Sequence, residues 1–157
     1  MSGADSNETS LYYSLFHHGV DEKRRVQIPS KWRPASTEIE LTMILWPNSP
    51  QPGNHILVLS PGENRALGEK MKTMSLSDPR AAALRRYIGA NSANVSVDKA
   101  GRMLIPTPLA DKAQIEPTSE AVLVGLVDKG FEIWNPKLYQ AVMKVDEVHQ
   151  DDALKLL

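Results

Sequence analysis

Two arginines each stand four residues after an aspartate, Arg25 after Asp21 near the start of the chain and Arg102 after Asp98 near its middle. Arginine presents a planar fork of donors suited to bidentate contact with guanine or phosphate, whereas an aspartate opening a turn accepts from nearby backbone amides. Further cations crowd both stretches, Lys23 and Arg24 in the first and Lys99 in the second. The chemistry these types and spacings suggest is anion recognition. Lys23, Arg24, Arg25, Lys99 and Arg102 are the expected contacts to double-stranded DNA, and Asp21, Asp98 and Gly101 are the expected turn formers. The two aspartates could also be imagined as a catalytic carboxylate pair. In each stretch, however, turn formation and the following arginine account for the aspartate without any reaction, so no catalytic residue is assigned and the chain is read as a non-enzyme.

The elements that must hold these residues repeat. Asp98 lies 77 positions after Asp21 (98 − 21), and the same offset carries Arg25 to Arg102, Ile28 to Ile105 and Pro29 to Pro106. A recurrence at fixed offset decides architecture before any single element does. In Asp98-Lys99-Ala100-Gly101 the aspartate and glycine suit a tight turn, Val95-Ser96-Val97 alternates before it, and Met103-Leu104-Ile105 runs apolar until Pro106 ends the strand. Each motif is therefore a hairpin tip with its arginine at the base. In the first copy Arg24 replaces glycine, at roughly 1 kcal/mol if the position is left-handed. With Lys23, Arg24 and Arg25 the first tip is the richer in charge, and removal of Arg25 is expected to harm binding more than removal of Arg102.

Around the tips each half reads as strand, tip, strand, short helical turn, two further strands and a helix. Residues 11–20 form the expected first strand, and Ser30-Lys31-Trp32-Arg33 one helical turn. Residues 40–46 pair with return strand 55–59 through a loop at 47–54, and residues 120–127 pair with 131–134 through Asp128-Lys129-Gly130. Ser60-Pro61, Asp78-Pro79 and Asn135-Pro136 are cap-plus-proline helix starts. Leu67, Met71 and Met74 share one side of helix 61–74, and Leu84, Tyr87 and Ile88 one side of helix 79–88, as core or subunit packing. The expected organisation is a disordered tail at 1–10, a first half at 11–89, a linker at 90–94, a second half at 95–145 and an acidic tail at 146–157. The fold class is mostly β with short helices, pseudo-two-fold.

Composition narrows the function. No cysteine is present, so a disulfide framework and a thiolate metal site are both excluded, and a reducing cytoplasm is the expected setting. No apolar run approaches the length of a bilayer span, and no membrane partner is expected. His17 and His18 are adjacent on a strand and face opposite sides, and His55 and His149 have no acidic or histidine partner at ligand spacing. No metal, cofactor or small-molecule substrate is expected. The net charge of −1 argues against a nucleic-acid binder, yet Lys23, Arg24, Arg25, Lys31 and Arg33 cluster in one stretch while Asp146, Glu147, Asp151 and Asp152 gather at the end. A rival reading is a scaffold or antitoxin-like module that grips an acidic protein instead of DNA.

The paired Asp-x-x-x-Arg segments, each running into a short apolar strand and proline, resemble the MraZ family of bacterial transcriptional regulators of the division and cell-wall gene cluster. Ser77-Asp78-Pro79 before an arginine-rich helix and Phe131-Glu132-Ile133-Trp134 add to the resemblance, which spans about residues 11–145. It implies a tandem AbrB/MazE-like swapped-hairpin barrel and ring-shaped homo-oligomers. It also implies sequence-specific DNA contact through the basic tip residues and repression at the nucleoid from repeated sites, including those of the protein's own gene. The family usually carries glycine where this chain has Arg24.

Overall fold

The computed structural model describes residues 11–47 and 54–157. The segment expected as a disordered tail, 1–10, and most of the loop expected at 47–54 lie outside these residues. The described elements are β1 (Leu15–Val20), β2 (Arg25–Gln27), a 3-10 turn (Ser30–Trp32), β3 (Glu40–Trp46), β4 (His55–Leu59), α1 (Pro61–Lys72), α2 (Pro79–Ala90), β5 (Ser92–Ser96), β6 (Arg102–Leu104), α3 (Thr107–Lys112), β7 (Ser119–Gly125), β8 (Gly130–Trp134) and α4 (Pro136–Leu154). Three helix starts follow the expected caps. The Ser60 side chain accepts from the amide of Glu63, Asp78 from Arg80, and Asn135 from Lys137 and Leu138, each with proline in the first turn.

The strands form one eight-stranded antiparallel sheet in the order β5-β3-β4-β8-β7-β1-β2-β6. Its two ends meet at an isolated bridge between Val97, just after β5, and Met103 of β6, so the sheet curls into a nearly closed barrel. That bridge repeats the Val20 and Val26 pairing of β1 with β2, each residue 77 positions on. The pairing of β2 with β6 is itself symmetric, with Val26 opposite Met103, Arg25 opposite Leu104 and Gln27 opposite Arg102. A pseudo-two-fold axis thus passes through the Val26 and Met103 pair.

The halves are interleaved. β1 pairs with β7 and β5 with β3, so the first strand of each half joins the third strand of the other. One apolar cluster fills the barrel, and Val26, Ile28, Met103 and Ile105 are almost wholly buried in it. Full burial of each such side chain is worth about 1.5–3 kcal/mol, which explains why the apolar residues after each tip recur along with the tip. Trp32 stacks on Phe131 with ring centroids 5.0 Å apart and meets Phe16 edge-on at 5.2 Å.

Several boundaries differ from the sequence expectation, each for a local reason. β1 starts at Leu15, because Ser14 turns the chain at φ 87° and Tyr12 bridges instead to Val127. β7 stops at Gly125, which lies under the Tyr12 backbone where a Cβ would collide with the Tyr12 carbonyl. The stretch expected as a linker, 90–94, holds the last residue of α2 and the start of β5. Of the stretch expected as a tail, 146–157, residues through Leu154 belong to α4.

Candidate nucleic-acid interface

Asp21 builds the first tip by accepting from three donors. Its Oδ1 takes the amides of Lys23 (2.9 Å) and Arg25 (2.8 Å), and its Oδ2 takes Arg25 Nε (2.7 Å). Asp98 repeats the arrangement at the second tip, with the amides of Ala100 (2.9 Å) and Arg102 (2.8 Å) on Oδ1 and Arg102 Nε (3.2 Å) on Oδ2. Both carboxyls are held below the ordinary aspartate value. The principal cause at each is the backbone amide of its arginine, Arg25 or Arg102, opposed by partial desolvation and aided by the guanidinium. The tips also brace each other: the Ile28 amide donates to the Gly101 carbonyl at 2.8 Å, and the Ile105 amide to the Arg24 carbonyl at 2.9 Å.

Strand pleating places the arginines. Val26 and Met103 point into the barrel, so Arg25, Gln27, Arg102 and Leu104 stand on the outer face of the β2 and β6 ribbon. Arg25 and Arg102 are diagonal neighbours there, roughly 7–8 Å apart with their Cβ atoms somewhat closer. Each is oriented by its aspartate through Nε, and neither makes a hydrogen bond through Nη among the described residues. The pair of guanidinium edges therefore faces outward. Lys23 and Lys99 are exposed beside them on the tips.

Arg24 is placed differently. Its backbone is left-handed (φ 62°), matching Gly101 (φ 81°), but its guanidinium folds back onto the barrel. Nε donates to the Ile115 carbonyl at 3.1 Å and Nη2 to Asp111 Oδ1 at 2.7 Å, leaving the side chain 14% exposed. At the second tip the matching space is taken by Arg33, whose Nε donates to the Ile28 carbonyl at 2.8 Å and whose guanidinium lies where a Cβ at Gly101 would stand. Sequence reasoning missed Gln27 and Leu104, which share the outer face with the two arginines, and missed the capping roles of Arg33 and Asp111. The first two were accessible from the period-2 alternation around Val26 and Met103. The second pair comes from segments distant in sequence and carries no local signal.

Three of the four histidines also have partners. His17 Nδ1 lies 3.1 Å from Glu120 Oε1, and His18 stacks with Phe16. His55, which has no acidic partner at ligand spacing in the sequence, is buried 2.9 Å from Glu132 Oε2, because the β4 and β8 pairing brings the two strands together. Its ring stacks on Trp134 at 4.1 Å, and the approach to Glu132 is an ion-pair distance without hydrogen-bond alignment. Among the described residues no three histidine, cysteine or acidic side chains gather as a metal site. No described helix is long and apolar enough to cross a membrane.

Fold and site together define a tandem swapped-hairpin barrel of the AbrB/MazE-like kind, carrying one Asp/Arg hairpin tip per half. A family model described as "MraZ protein, putative antitoxin-like" matches residues 88–155. The protein named transcriptional regulator MraZ of Thermomicrobium roseum is 33% identical over 139 residues, covering 83% of this chain and 86% of that one. Those of Caldanaerobacter subterraneus subsp. tengcongensis (34% over 134 residues, 85% and 87%) and Mannheimia succiniciproducens (31% over 147 residues, 88% and 93%) match to a similar extent. The chain belongs to the MraZ family.

Proposed function

We propose that this protein is a DNA-binding transcriptional regulator that represses division and cell-wall genes, its own included, from repeated sites at the nucleoid in the cytoplasm. The observation that carries the reading is the outward pair formed by Arg25 and Arg102, each aimed by an aspartate on the β2 and β6 ribbon. A two-stranded ribbon fits the major groove, and arginine is the commonest reader of guanine there. The two arginine positions, roughly 7–8 Å apart on the ribbon, match about two base-pair steps of 3.4 Å, so both side chains reach one short site. On the other diagonal Leu104 suits a thymine methyl, whereas Gln27 Nε2 donates to the Ala100 carbonyl at 3.0 Å and braces the second tip. The names of the relatives as transcriptional regulators support the same reading.

The proposed contacts are Lys23, Arg25, Lys99 and Arg102, with Asp21, Asp98 and Gly101 shaping the tips. Arg24 is assigned to the barrel and not to DNA, since Asp111 and the Ile115 carbonyl already hold its guanidinium. Four cations on a chain of net charge −1 bind nonspecific DNA only at about 10⁻⁴–10⁻⁶ M at physiological salt. Several ribbons in one homo-oligomer raise that by roughly 10²–10⁴ when all engage together, which suits an operator of regularly spaced short repeats. The two halves, 11–89 and 95–145, are read as duplicates that each contribute one tip.

The test is fluorescence anisotropy with a duplex from upstream of the protein's own gene and with a random duplex, at several salt concentrations. The wild type should prefer the upstream duplex and lose affinity steeply with salt. Arg25→Ala and Arg102→Ala should each narrow the preference by about tenfold or more. If both variants bind both duplexes as the wild type does at every salt concentration, the ribbon is not the DNA surface. A scaffold that grips an acidic protein then becomes the better reading.

A further inference from the structure

The covers over the two hairpin tips differ in charge. Each cover is the segment that follows the motif proline of the other half: α3 and the residues after it lie over the first tip, and the 3-10 turn and the residues after it over the second. Over the first tip the Arg24 guanidinium meets two carboxylates, Asp111 Oδ1 at 2.7 Å and Glu116 Oε2 at 4.0 Å, whose side chains are 60% and 73% exposed. A further carboxylate, Glu22, is exposed on the turn itself.

The second tip has the opposite character. Its counterpart of Glu22 is Lys99, which is exposed, and the cation laid over it is Arg33. Arg33 is half-buried, its Nε donates to the Ile28 carbonyl at 2.8 Å, and among the described residues its Nη atoms make no hydrogen bond or ion pair. Asp98 opens onto the same space but is already engaged by Arg102. The guanidinium is thus partly desolvated without a counter-charge, a state that an arriving anion relieves.

The surroundings are those of an anion seat. Arg33 and Lys99 share an open pocket of about 130 Å³ with Ser36 and Thr37. Ser36 Oγ accepts the Glu38 amide at 3.1 Å and keeps its hydrogen for donation, and Thr37 is exposed beside it. The space is well below the roughly 300–1,000 Å³ of a small-molecule site, so it suits a small charged group and not a metabolite. It also adjoins the ribbon, because the Arg33 guanidinium lies against Gly101, one residue before Arg102.

We propose that this pocket seats a backbone phosphate of the DNA duplex, held by Arg33 Nη, the Lys99 ammonium and the Ser36 and Thr37 hydroxyls. The inference rests on the DNA reading given under the proposed function. A ribbon in the major groove has phosphates along both of its sides, and phosphate contacts fix its register and orientation there. The second tip grips the backbone, whereas the first presents the exposed carboxylates of Asp111 and Glu116 to it. Arg25 and Arg102 are alike as base readers, and the unequal flanks decide which way round the pseudo-symmetric ribbon lies.

Thr37→Asp and Lys99→Ala test the seat. Both positions are exposed and neither makes the Arg33 bond to Ile28, so the tip should stay folded, as circular dichroism and thermal melts would confirm. In anisotropy, Thr37→Asp should bind the upstream and random duplexes about tenfold more weakly while keeping the preference between them, and Lys99→Ala should flatten the slope of log affinity against log salt by roughly one. In upstream duplexes carrying one neutral methylphosphonate, the wild type should lose about three- to tenfold at positions on a single flank of each repeat, and Thr37→Asp should lose nothing more there. Equal losses on both flanks overturn the proposal, as does a Thr37→Asp variant that binds like the wild type. Saturation of the Arg33 side-chain NMR signals by inorganic phosphate alone below about 1 mM overturns it too, since the ligand is then a free anion. If Arg25→Ala and Arg102→Ala lose specificity while Thr37→Asp and Lys99→Ala match the wild type, the seat fails and the DNA reading stands. If the wild type binds neither duplex, both fail.

Discussion

At the fourth position of the first tip stands Arg24 with φ 62°, and at the fourth position of the second stands Gly101 with φ 81°. The hydrogen bonds around them are the same: an aspartate that accepts from two amides and an arginine Nε, and a carbonyl at the fourth position that accepts from the isoleucine before the partner tip's proline. A left-handed backbone is thus a requirement of the tip, and the residue type there is decided by what packs over it. Over Gly101 lies Arg33, delivered by the 3-10 turn, so a side chain has no room. Over Arg24 lie the Ile115 carbonyl and Asp111, which offer acceptors to a side chain that can reach them. Each tip is covered by one arginine, supplied from within the tip in one half and from outside it in the other.

This comparison predicts equality where charge counting in the sequence predicts a bias. With Arg24 turned inward, each tip exposes one lysine and one arginine, Lys23 with Arg25 and Lys99 with Arg102. Arg25→Ala and Arg102→Ala should then weaken binding to the upstream duplex by similar factors, about 10- to 100-fold, corresponding to roughly 1–3 kcal/mol per lost base contact. The double variant should show the largest effect of any change considered, with binding reduced to the nonspecific level. A difference between the two single variants of more than about tenfold, read by anisotropy at one salt concentration, would break the equivalence of the tips.

A smaller effect follows from exchanging the fourth residue. Gly101→Arg places a side chain in left-handed backbone at about 1–2 kcal/mol and displaces the Arg33 guanidinium from the Ile28 carbonyl, so about 2 kcal/mol of stability should be lost. For a chain of this size that is a fall in Tm of roughly 4–8 °C. Gly101→Arg with Arg33→Ala should recover only part of it, since the backbone strain remains. Full recovery would show that crowding alone excludes a side chain at 101.

The tips, their strands and the pseudo-symmetry were legible in the sequence because they rest on local signals: an aspartate that starts a turn, a proline that stops a strand, and alternation between them. The helix starts were legible for the same reason, through Ser60, Asp78 and Asn135 with their prolines. The pairing of β1 with β7 and β5 with β3 was not, since alternation fixes which face a residue takes but not which strand lies beside it. The inward turn of Arg24 was hidden likewise. Its acceptors, Asp111 and Ile115, lie about ninety residues away and become neighbours only through the swapped pairing. The same long-range closure brings Glu132 to His55.

Arg24 itself offers the next test. Arg24→Ala keeps the strained backbone and removes two hydrogen bonds from a guanidinium, one of them to a carboxylate, so stability should fall by about 1–2 kcal/mol. Arg24→Gly loses the same bonds but relieves the backbone by roughly 1 kcal/mol, and should come out close to the wild type. The difference between the two variants in a denaturant melt isolates the backbone contribution. If alanine and glycine destabilise equally, position 24 is not strained and the parallel with Gly101 fails.

The smallest difference is expected in acid. Asp21 and Asp98 both titrate below the ordinary 3.8, chiefly because backbone amides of Arg25 and Arg102 favour the ionised form. A folded value below the unfolded one means that the stabilisation is complete above the unfolded value, about 4, and is lost as pH falls from there through the folded value. The geometry then ranks the tips. Asp21 holds Arg25 Nε at 2.7 Å with its side chain 26% exposed, whereas Asp98 holds Arg102 Nε at 3.2 Å with its side chain 41% exposed. The shorter contact favours the charged form more and outweighs the opposing desolvation of the less exposed Asp21, so Asp21 should keep its charge to a lower pH than Asp98. As acid is added the second tip should loosen before the first. Carbon-detected NMR titration of the two carboxyls reads this directly, and amide exchange at Ala100 and Arg102 should quicken at a higher pH than at Lys23 and Arg25. The opposite order would mean that the outward reach of Arg102, and not the strength of its aspartate contact, governs the tip. The equivalence of the two arginines would then have to be argued from position alone.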